Sequence, residues 1–447
     1  MQADLEALSH RLLDAARKAG AEAADALAVA GTSQSIGVRR GALEQAERSE
    51  AVDVGLRVLI GGRQACVSAS DMSEATIAAL AERAVAMARE APEDPTAGLA
   101  RPDQLARDWD LAALDMVDPA PEPSPARLEA MAREAEAGAL EVAGITQVEA
   151  DASHGLRRMH LALSNGFSGG YQRSSLSVSA VAFTGDGQGM ERDWAGESRT
   201  HQADLPEPAA IGRLAAERAR QRLGAVKPPT GAYPVVFDER VASSLIGHLL
   251  GAINGQAIAR GASWLRDAMG QQVLPRGLSL IEDPHRARIS GSRPFDGEGL
   301  PTRRRLLVED GVLKSWTLDL ATGRKLGLDS TANAARSTSA PPSPAASNIA
   351  LTQGTLDREG LLAQMGTGLL ITSMIGATIN PTTGDYSRGA AGFWVENGEI
   401  RMAVHECTVA GNLRDMLRRI VPANDARPHL SMQVPSLLVE GLTLAGK

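Results

Sequence analysis

Aromatic side chains are scarce: Phe, Tyr and Trp together make up 3% of the 447 residues. The interior must therefore be filled by aliphatic and small side chains, for which 43% hydrophobic residues and 45 glycines supply the material. Cysteine is nearly absent, with only Cys66 and Cys407, which excludes a disulfide framework as the plan of the fold. Residues 1–6 (MQADLE) have neither a basic stretch nor an apolar one, so no secretory signal is read and a reduced, cytoplasmic protein is expected. Long apolar runs are missing too. The uncharged stretch Val241–Ala259 is interrupted by Ser243, Ser244, His248, Asn254 and Gln256, and reads as a core helix rather than a membrane span. A net charge of −8 argues against a nucleic-acid surface, which needs clustered Lys and Arg. The short basic runs Arg303-Arg304-Arg305 and Arg414/Arg418/Arg419 read as solvated faces.

Familiar catalytic motifs are also lacking. A zinc hydrolase needs ligands converging from one face, typically two His a helical turn apart with a general base. None of the eight histidines pairs with another at a spacing of four or five. His405 and Cys407 would share a strand face, which makes half a metal site at most; the plainer reading is a half-buried His beside a structural Cys. There is no Walker loop and no G-x-S-x-G elbow. Gly185–Gly189 is glycine-rich but opens no helix, and reads as a loop tip.

The patterns that are present describe an α+β chain. Leu5, Leu8, Leu12 and Ala16 recur at helical spacing. Strand-like stretches follow at Ala26–Ala30, Ser35–Arg39 and Val52–Ile60, then a helix with Asp71 in capping position. A Pro-rich connection spans 91–123, after which Ser124 and Pro125 open another helix. Gln147–Asp186 alternates like strands about a turn at Asn165-Gly166, and a helix near Pro208–Leu223 follows. This predicts an N-terminal mixed α+β domain over 1–225. A largely antiparallel β domain over 232–447 follows the breaker-rich Lys227–Gly231. Asp310-Gly311 and Asn397-Gly398 mark two hairpin turns, Ser337–Ser347 reads as a mobile loop, and a capped helix is expected over Asn412–Ile420.

One polar segment, Asn380–Gly389, sits between apolar runs and offers hydroxyls, backbone donors, a carboxylate and an Arg. It reads either as a turn-rich β-connection or as a polar floor for a bound peptide. In the second reading Thr383, Gly384, Asp385, Ser387 and Arg388 are the peptide-binding candidates, with Asp385 and Arg388 as an exposed ion pair or contact site.

The run Gly384–Gly398 (GDYSRGAAGFWVENG) resembles a signature of the PmbA/TldE side of the TldD/PmbA protease family. So do Met365–Leu369, Pro294–Gly299 (PFDGEG), Ala410–Leu413, Arg324–Leu328 and Gly55–Val58. The resemblance implies a cytoplasmic heterodimer with a TldD-type subunit, a metalloprotease complex acting on unfolded or modified peptides. The family's label as modulator of DNA gyrase implies no DNA-binding chemistry here. TldD-type subunits carry zinc on an HExxxH helix, matched here by Ser244–Ala259. The two His positions and the Glu fall on Ile246, Gly251 and Gly247, and His248 is displaced from both ligand positions. The resemblance therefore implies no catalytic residue, no metal and no cofactor in this chain, with zinc expected only in the TldD-type partner. Two other readings stand beside that of a noncatalytic subunit: a metal-free peptidase in its own right, and a peptide-binding adaptor. A homodimer is the expected alternative when the chain is alone.

Overall fold

The computed structural model describes residues 4–447. Helix α1 (Leu5–Ala19) opens on Asp4, whose carboxylate accepts the Ala7 N–H, and closes on Gly20 in the left-handed region. Strands β1 (Ala23–Arg39), β2 (Ala42–Ile60) and β3 (Arg63–Ala69) form a meander, and helix α2 (Glu74–Glu90) follows. The cap of α2 is Ser73 and not Asp71, because the Asp71 carboxylate is occupied by the hydroxyls of Ser73 and Thr76. The two strands expected at 26–30 and 35–39 are one. Gly31–Gln34 stays paired to both neighbours, so its polar composition does not interrupt the ladder. After the helix Pro125–Leu140, capped by Ser124, come β4 (Ile145–Leu163), β5 (Ser168–Thr184) and β6 (Glu191–Arg199), then the helix Pro208–Gln221. The strands make one antiparallel sheet in the order β3-β2-β1-β4-β5-β6.

Period-two alternation gives this sheet two different faces. Ala24, Ala26, Ala28 and Ala30 pack with Leu8, Leu12, Leu80 and Ala84 of α1 and α2. Farther along, Ile36 and Val38 pack with Leu128, Ala132 and Ala215 of the later helices. Small side chains let the helices lie close to the sheet, which explains how a chain poor in aromatics fills its core. The opposite face, carrying Asp25, Leu27 and Val29, turns toward the rest of the molecule.

From Gly231 a second architecture begins. Strand β7 (Gly231–Phe237) pairs parallel with Gly368–Ile379 and antiparallel with Leu437–Ala445. Gly368–Ile379, Asp385–Glu396 and Glu399–Asn412 form hairpins, and Glu399–Asn412 also pairs with Leu437–Ala445. The strands thus close on themselves. The pairing is largely antiparallel, as expected, and the α+β class holds. The helix Glu239–Ala252 buries Leu245, Ile246 and Leu249 in the same core as Val235, Phe237, Leu369 and Ile371. The single helix expected over 244–259 breaks after Ala252, because Asn254 caps a new turn at Gly255–Ala259. Gly255 must be glycine there: a Cβ would sit 2.6 Å from the Thr322 hydroxyl. Both Asx-Gly turns form, with positive φ at Asp310, Gly311, Asn397 and Gly398. The C-terminal capped helix is shorter than expected, Leu413–Leu417, with Asn412 as its cap.

The mobile loop expected at 337–347 is instead a strap pinned across the first sheet. Ala334–Ala335 pairs with Ser343–Pro344, and Pro342 and Pro344 are buried. The Thr338 carbonyl lies so close to β2 that a Cβ on Gly55 would stand 2.2 Å from it. Composition misleads here because the segment is held by its neighbours' contacts rather than by its own apolar surface. The anchor is Arg336, whose Nε donates to Asp25 Oδ1 at 3.0 Å while Arg57 Nε donates to Oδ2. All three side chains are at most 4% exposed. Nearby, Asp296 accepts the backbone N–H groups of Glu298, Leu300 and Ala334, and Glu298 accepts that of Leu320. Phe295 meets Trp109, Phe167 and Tyr171 edge-on, and Arg324 donates to the carbonyls of Thr96 and Leu99 in the Pro-rich connection.

Removing the shared carboxylate with Asp25→Ala strands two buried guanidiniums. The expected cost is about 3–5 kcal/mol in denaturant unfolding, and a loss below about 1 kcal/mol would show the bridge to be dispensable. Burial pushes the Asp25 carboxyl up, but Arg57 and Arg336 more than offset it and hold the group below its ordinary value of 3.8. Its contribution is therefore present above that value and lost as pH falls through the folded one. Glu298 behaves oppositely: burial, then the charges of Asp296 and Asp319, push it well above 4.5. Its contribution is intact below 4.5 and erodes as pH rises toward the folded value. Glu298→Gln keeps the acceptor for Leu320, so its stability relative to the parent should improve over the range above pH 4.5. An unchanged difference across that range would place the charge elsewhere.

Candidate functional site

Two regions carry polar groups that the core does not need. The first lies where the helix Glu239–Ala252 faces the hairpin of Gly368–Ile379 and Asp385–Glu396. Asn380 organises the turn: its side chain accepts the N–H groups of Thr382 and Thr383, and its carbonyl that of buried Gly384. Asp385 accepts from Thr383 Oγ1 at 2.6 Å and from Asn412 Nδ2 at 3.0 Å, and these bonds hold its carboxyl below the ordinary range. Arg388 Nε donates to the Gly376 carbonyl at 2.6 Å. Asp385 and Arg388 do not form the expected ion pair, because residues three apart on a strand point to opposite faces and each has its own partner. Thr383 and Asp385 are exposed, and Ser387 and Arg388 are half-buried.

The positions that the resemblance matches to the zinc ligands and base of a TldD-type subunit lie on the neighbouring helix. Ile246 is fully buried in the core, whereas Gly247 and Gly251 are exposed with open space where a side chain would be. An isoleucine and two glycines offer no donor atom, so these residues do not fit a zinc ion. His248 meets the Tyr386 ring edge-on at 5.9 Å, and burial together with the Arg388 charge holds its imidazole below the ordinary value. Burial pushes the Tyr386 phenol up to about 12. Both shifts favour the uncharged forms of this imidazole and phenol. Beside them Ile375 stands 76% exposed next to a bulge in its strand.

The shared strand face expected for His405 and Cys407 is not formed. Glu406 takes φ +48 in a bulge, where Ala390 pairs with Cys407 and Gly392 with Val404. The extra residue breaks the alternation, so Cys407 turns into the core with Val404 and donates to the Ala390 carbonyl. Among the described residues no group of three or more His, Cys, Asp or Glu side chains is disposed to hold a metal ion. Nor is any helix of the described residues long and apolar enough to cross a membrane.

The second region escaped the sequence reading. Between the open face of the first sheet and the segments 290–297 and 334–336 lies a cavity of about 730 Å³. Alternate residues of four adjacent strands line it, among them Val29, Asp53, Arg157, Met159, Tyr171 and Arg173. The signal existed as alternation on either side of the Asn165-Gly166 turn, but the far wall comes from sequence more than a hundred residues away.

Comparison with known proteins accords with this architecture. Models of the PmbA/TldA metallopeptidase family match three parts of the chain: domain 1 at residues 24–88, the central domain at 118–223 and the C-terminal domain at 230–446. The chain is 37% identical over 421 residues to Metalloprotease PmbA of Escherichia coli O157:H7, covering 93% of this chain and 90% of that protein. A crystal structure described as a modulator of DNA gyrase, from Bacteroides thetaiotaomicron VPI-5482, superposes with a TM-score of 0.92 at 27% identity, covering 100% of both chains. TldE from Thermococcus kodakarensis shares the fold, with a TM-score of 0.84 at 18% identity over 98% of this chain and 100% of that one. Matched by family models along most of its length and by a close relative over nearly all of it, the chain belongs to the PmbA/TldD metallopeptidase family and is of the PmbA/TldE type.

Proposed function

We propose that this chain is the zinc-free, noncatalytic subunit of a two-chain TldD/TldE peptidase, and that it contributes assembly and substrate-binding surface rather than chemistry. The observation that carries the reading is the helix Glu239–Ala252. It keeps its place in the core through Leu245, Ile246 and Leu249, yet the three positions that would supply ligands and base are Ile246, Gly247 and Gly251. A fold kept intact around a dismantled metal site is most simply explained by a structural task in a complex whose zinc sits in the partner. Gly247 and Gly251 on the helix and Ile375 and Thr383 on the facing hairpin are exposed and uncharged. Such a surface suits close contact with another chain and with an extended peptide. Its peptides would be unfolded or modified, and the complex cytoplasmic.

Co-expression with a TldD-type subunit should give one complex on gel filtration. Peptidase activity on an unfolded peptide should appear in the mixture and in neither chain alone. Arg388→Ala should lower that activity on the order of tenfold through loss of one charge-assisted hydrogen bond, with the partner's zinc content unchanged. Equal cleavage by the TldD-type subunit alone would leave this chain as an adaptor. Chelator-insensitive cleavage by this chain alone would make it an enzyme in its own right.

A further inference from the structure

The cavity beneath the strap has an unbalanced charge. Arg157 and Arg173 are direct cross-strand partners on its sheet wall, with Arg293 facing them from the opposite wall. Like charges placed opposite each other on one face of a sheet destabilise it unless something neutralises them. Among the described residues none of the three forms an ion pair. The Arg293 Nη atoms donate to the carbonyls of Ala334 and Ala345, and Arg173 Nη2 donates to that of Ser292. These bonds fix both guanidinium groups by their ends, while both Nε atoms are buried with no hydrogen-bond partner in the protein. The two acids that line the cavity are hydrogen-bonded to their own neighbours, and the charge of one of them, Asp296, acts on Arg293, which leaves the facing pair Arg157 and Arg173. Asp296 accepts three backbone N–H groups, Asp53 accepts from Ser70, and the fourth arginine, Arg336, is spent on Asp25. Burial, reinforced by the charges of Arg157 and Arg293, holds the Arg173 guanidinium below its ordinary range. Three arginines that line one cavity without an ion-pair partner suit an incoming anion, which would take charge-assisted hydrogen bonds from them.

The remainder of the wall describes the body of that ligand. Leu27, Val29, Met159, Leu161, Tyr171 and Phe295 provide an apolar surface. Ser33, Ser49, Ser175 and Ser290 add hydroxyls around it. An alkyl acid would leave those hydroxyls without new partners, whereas a peptide backbone can bond to them. The cavity volume falls within the range of about 300–1,000 Å³ typical of sites that enclose a small ligand.

We infer that this cavity binds the free C-terminal carboxylate of an extended peptide, with Arg157, Arg173 and Arg293 receiving the carboxylate and the apolar wall receiving the last side chains. The inference rests on the peptide-handling role proposed above, but it concerns this chain alone and needs neither the partner nor cleavage. The test is binding to the isolated full chain, read by fluorescence anisotropy of an N-terminally labelled Ala-Leu-Leu-Phe peptide. The free acid should bind at least about tenfold more tightly than the C-terminal amide, and its affinity should fall with added salt. Arg173→Gln should weaken binding of the free acid about tenfold or more and leave the amide unaffected. Should that variant unfold, Ser175→Trp, which fills the cavity from an exposed strand position, serves instead and should abolish binding of the acid. Equal binding of acid and amide, or no binding of either, overturns the inference. Octanoate that binds as tightly as the peptide overturns the peptide assignment in favour of a small acid. Failure of the chain to assemble with a TldD-type subunit would overturn the proposed function and leave this measurement standing.

Discussion

The carboxylate of Asp25, held between Arg57 of its own sheet and Arg336 of the strap, is the point on which the arrangement of the molecule depends. Taking three charges out of water is expensive, and their attraction repays it only when geometry and further hydrogen bonds are good. Here each oxygen of the carboxylate takes one arginine, and the return is positional. Arg336 reaches Asp25 only if the strap lies flat on β2, which Gly55 permits by presenting no side chain to the Thr338 carbonyl. Asp296 then holds the strap's first residue through the Ala334 N–H, and Gly297 N–H bonds back to the Ala334 carbonyl. One ion cluster thus sets the distance between the first sheet and the segments that roof its open face, and with it the volume of the cavity.

Seen this way, several family motifs are devices of this seam rather than of chemistry. Gly55 and Arg57 belong to one, Phe295 through Gly299 to another, and Arg324 to a third. Gly299, at φ +79, lies where a Cβ would be 2.7 Å from the Phe167 ring. Three of the six motifs that made the chain recognisable therefore encode how its parts meet. The helix that would carry ligands is recognisable mainly by its place in the core.

Local signals in the sequence translated well wherever local physics decides. Ser124 caps its helix, Asn165-Gly166 turns its hairpin, and both later Asx-Gly pairs adopt the left-handed backbone their turns require. The expectations that failed turn either on partners distant in sequence or on strand detail that composition does not show. Ser337–Ser347 has too little apolar surface to order itself, and is ordered by a carboxylate 311 residues away. The alternation through His405 and Cys407 was sound until a bulge at Glu406 reset it. Asp385 and Arg388 looked like a pair by proximity in sequence, but strand geometry sends them apart. The cavity was the least legible feature of all. Hairpin register alone puts Arg157 opposite Arg173, but nothing local indicates that Arg293 comes to face them.

The closure of the second set of strands has a consequence for how the protein is made. Its first strand, Gly231–Phe237, lies between Gly368–Ile379 and Leu437–Ala445, and the seam with Glu399–Asn412 closes only when Thr408–Ala410 meets Thr443–Ala445. During synthesis the first sheet and its helices emerge with all their strands in hand, while the ring stays open until residues 437–445 have left the ribosome. For that interval the edges of Gly231–Phe237 and Glu399–Asn412 are exposed to any other extended chain. Nascent chains of this architecture are thus most open to mispairing in the interval before residues 437–445 emerge, and a variant that weakens that strand would prolong the interval.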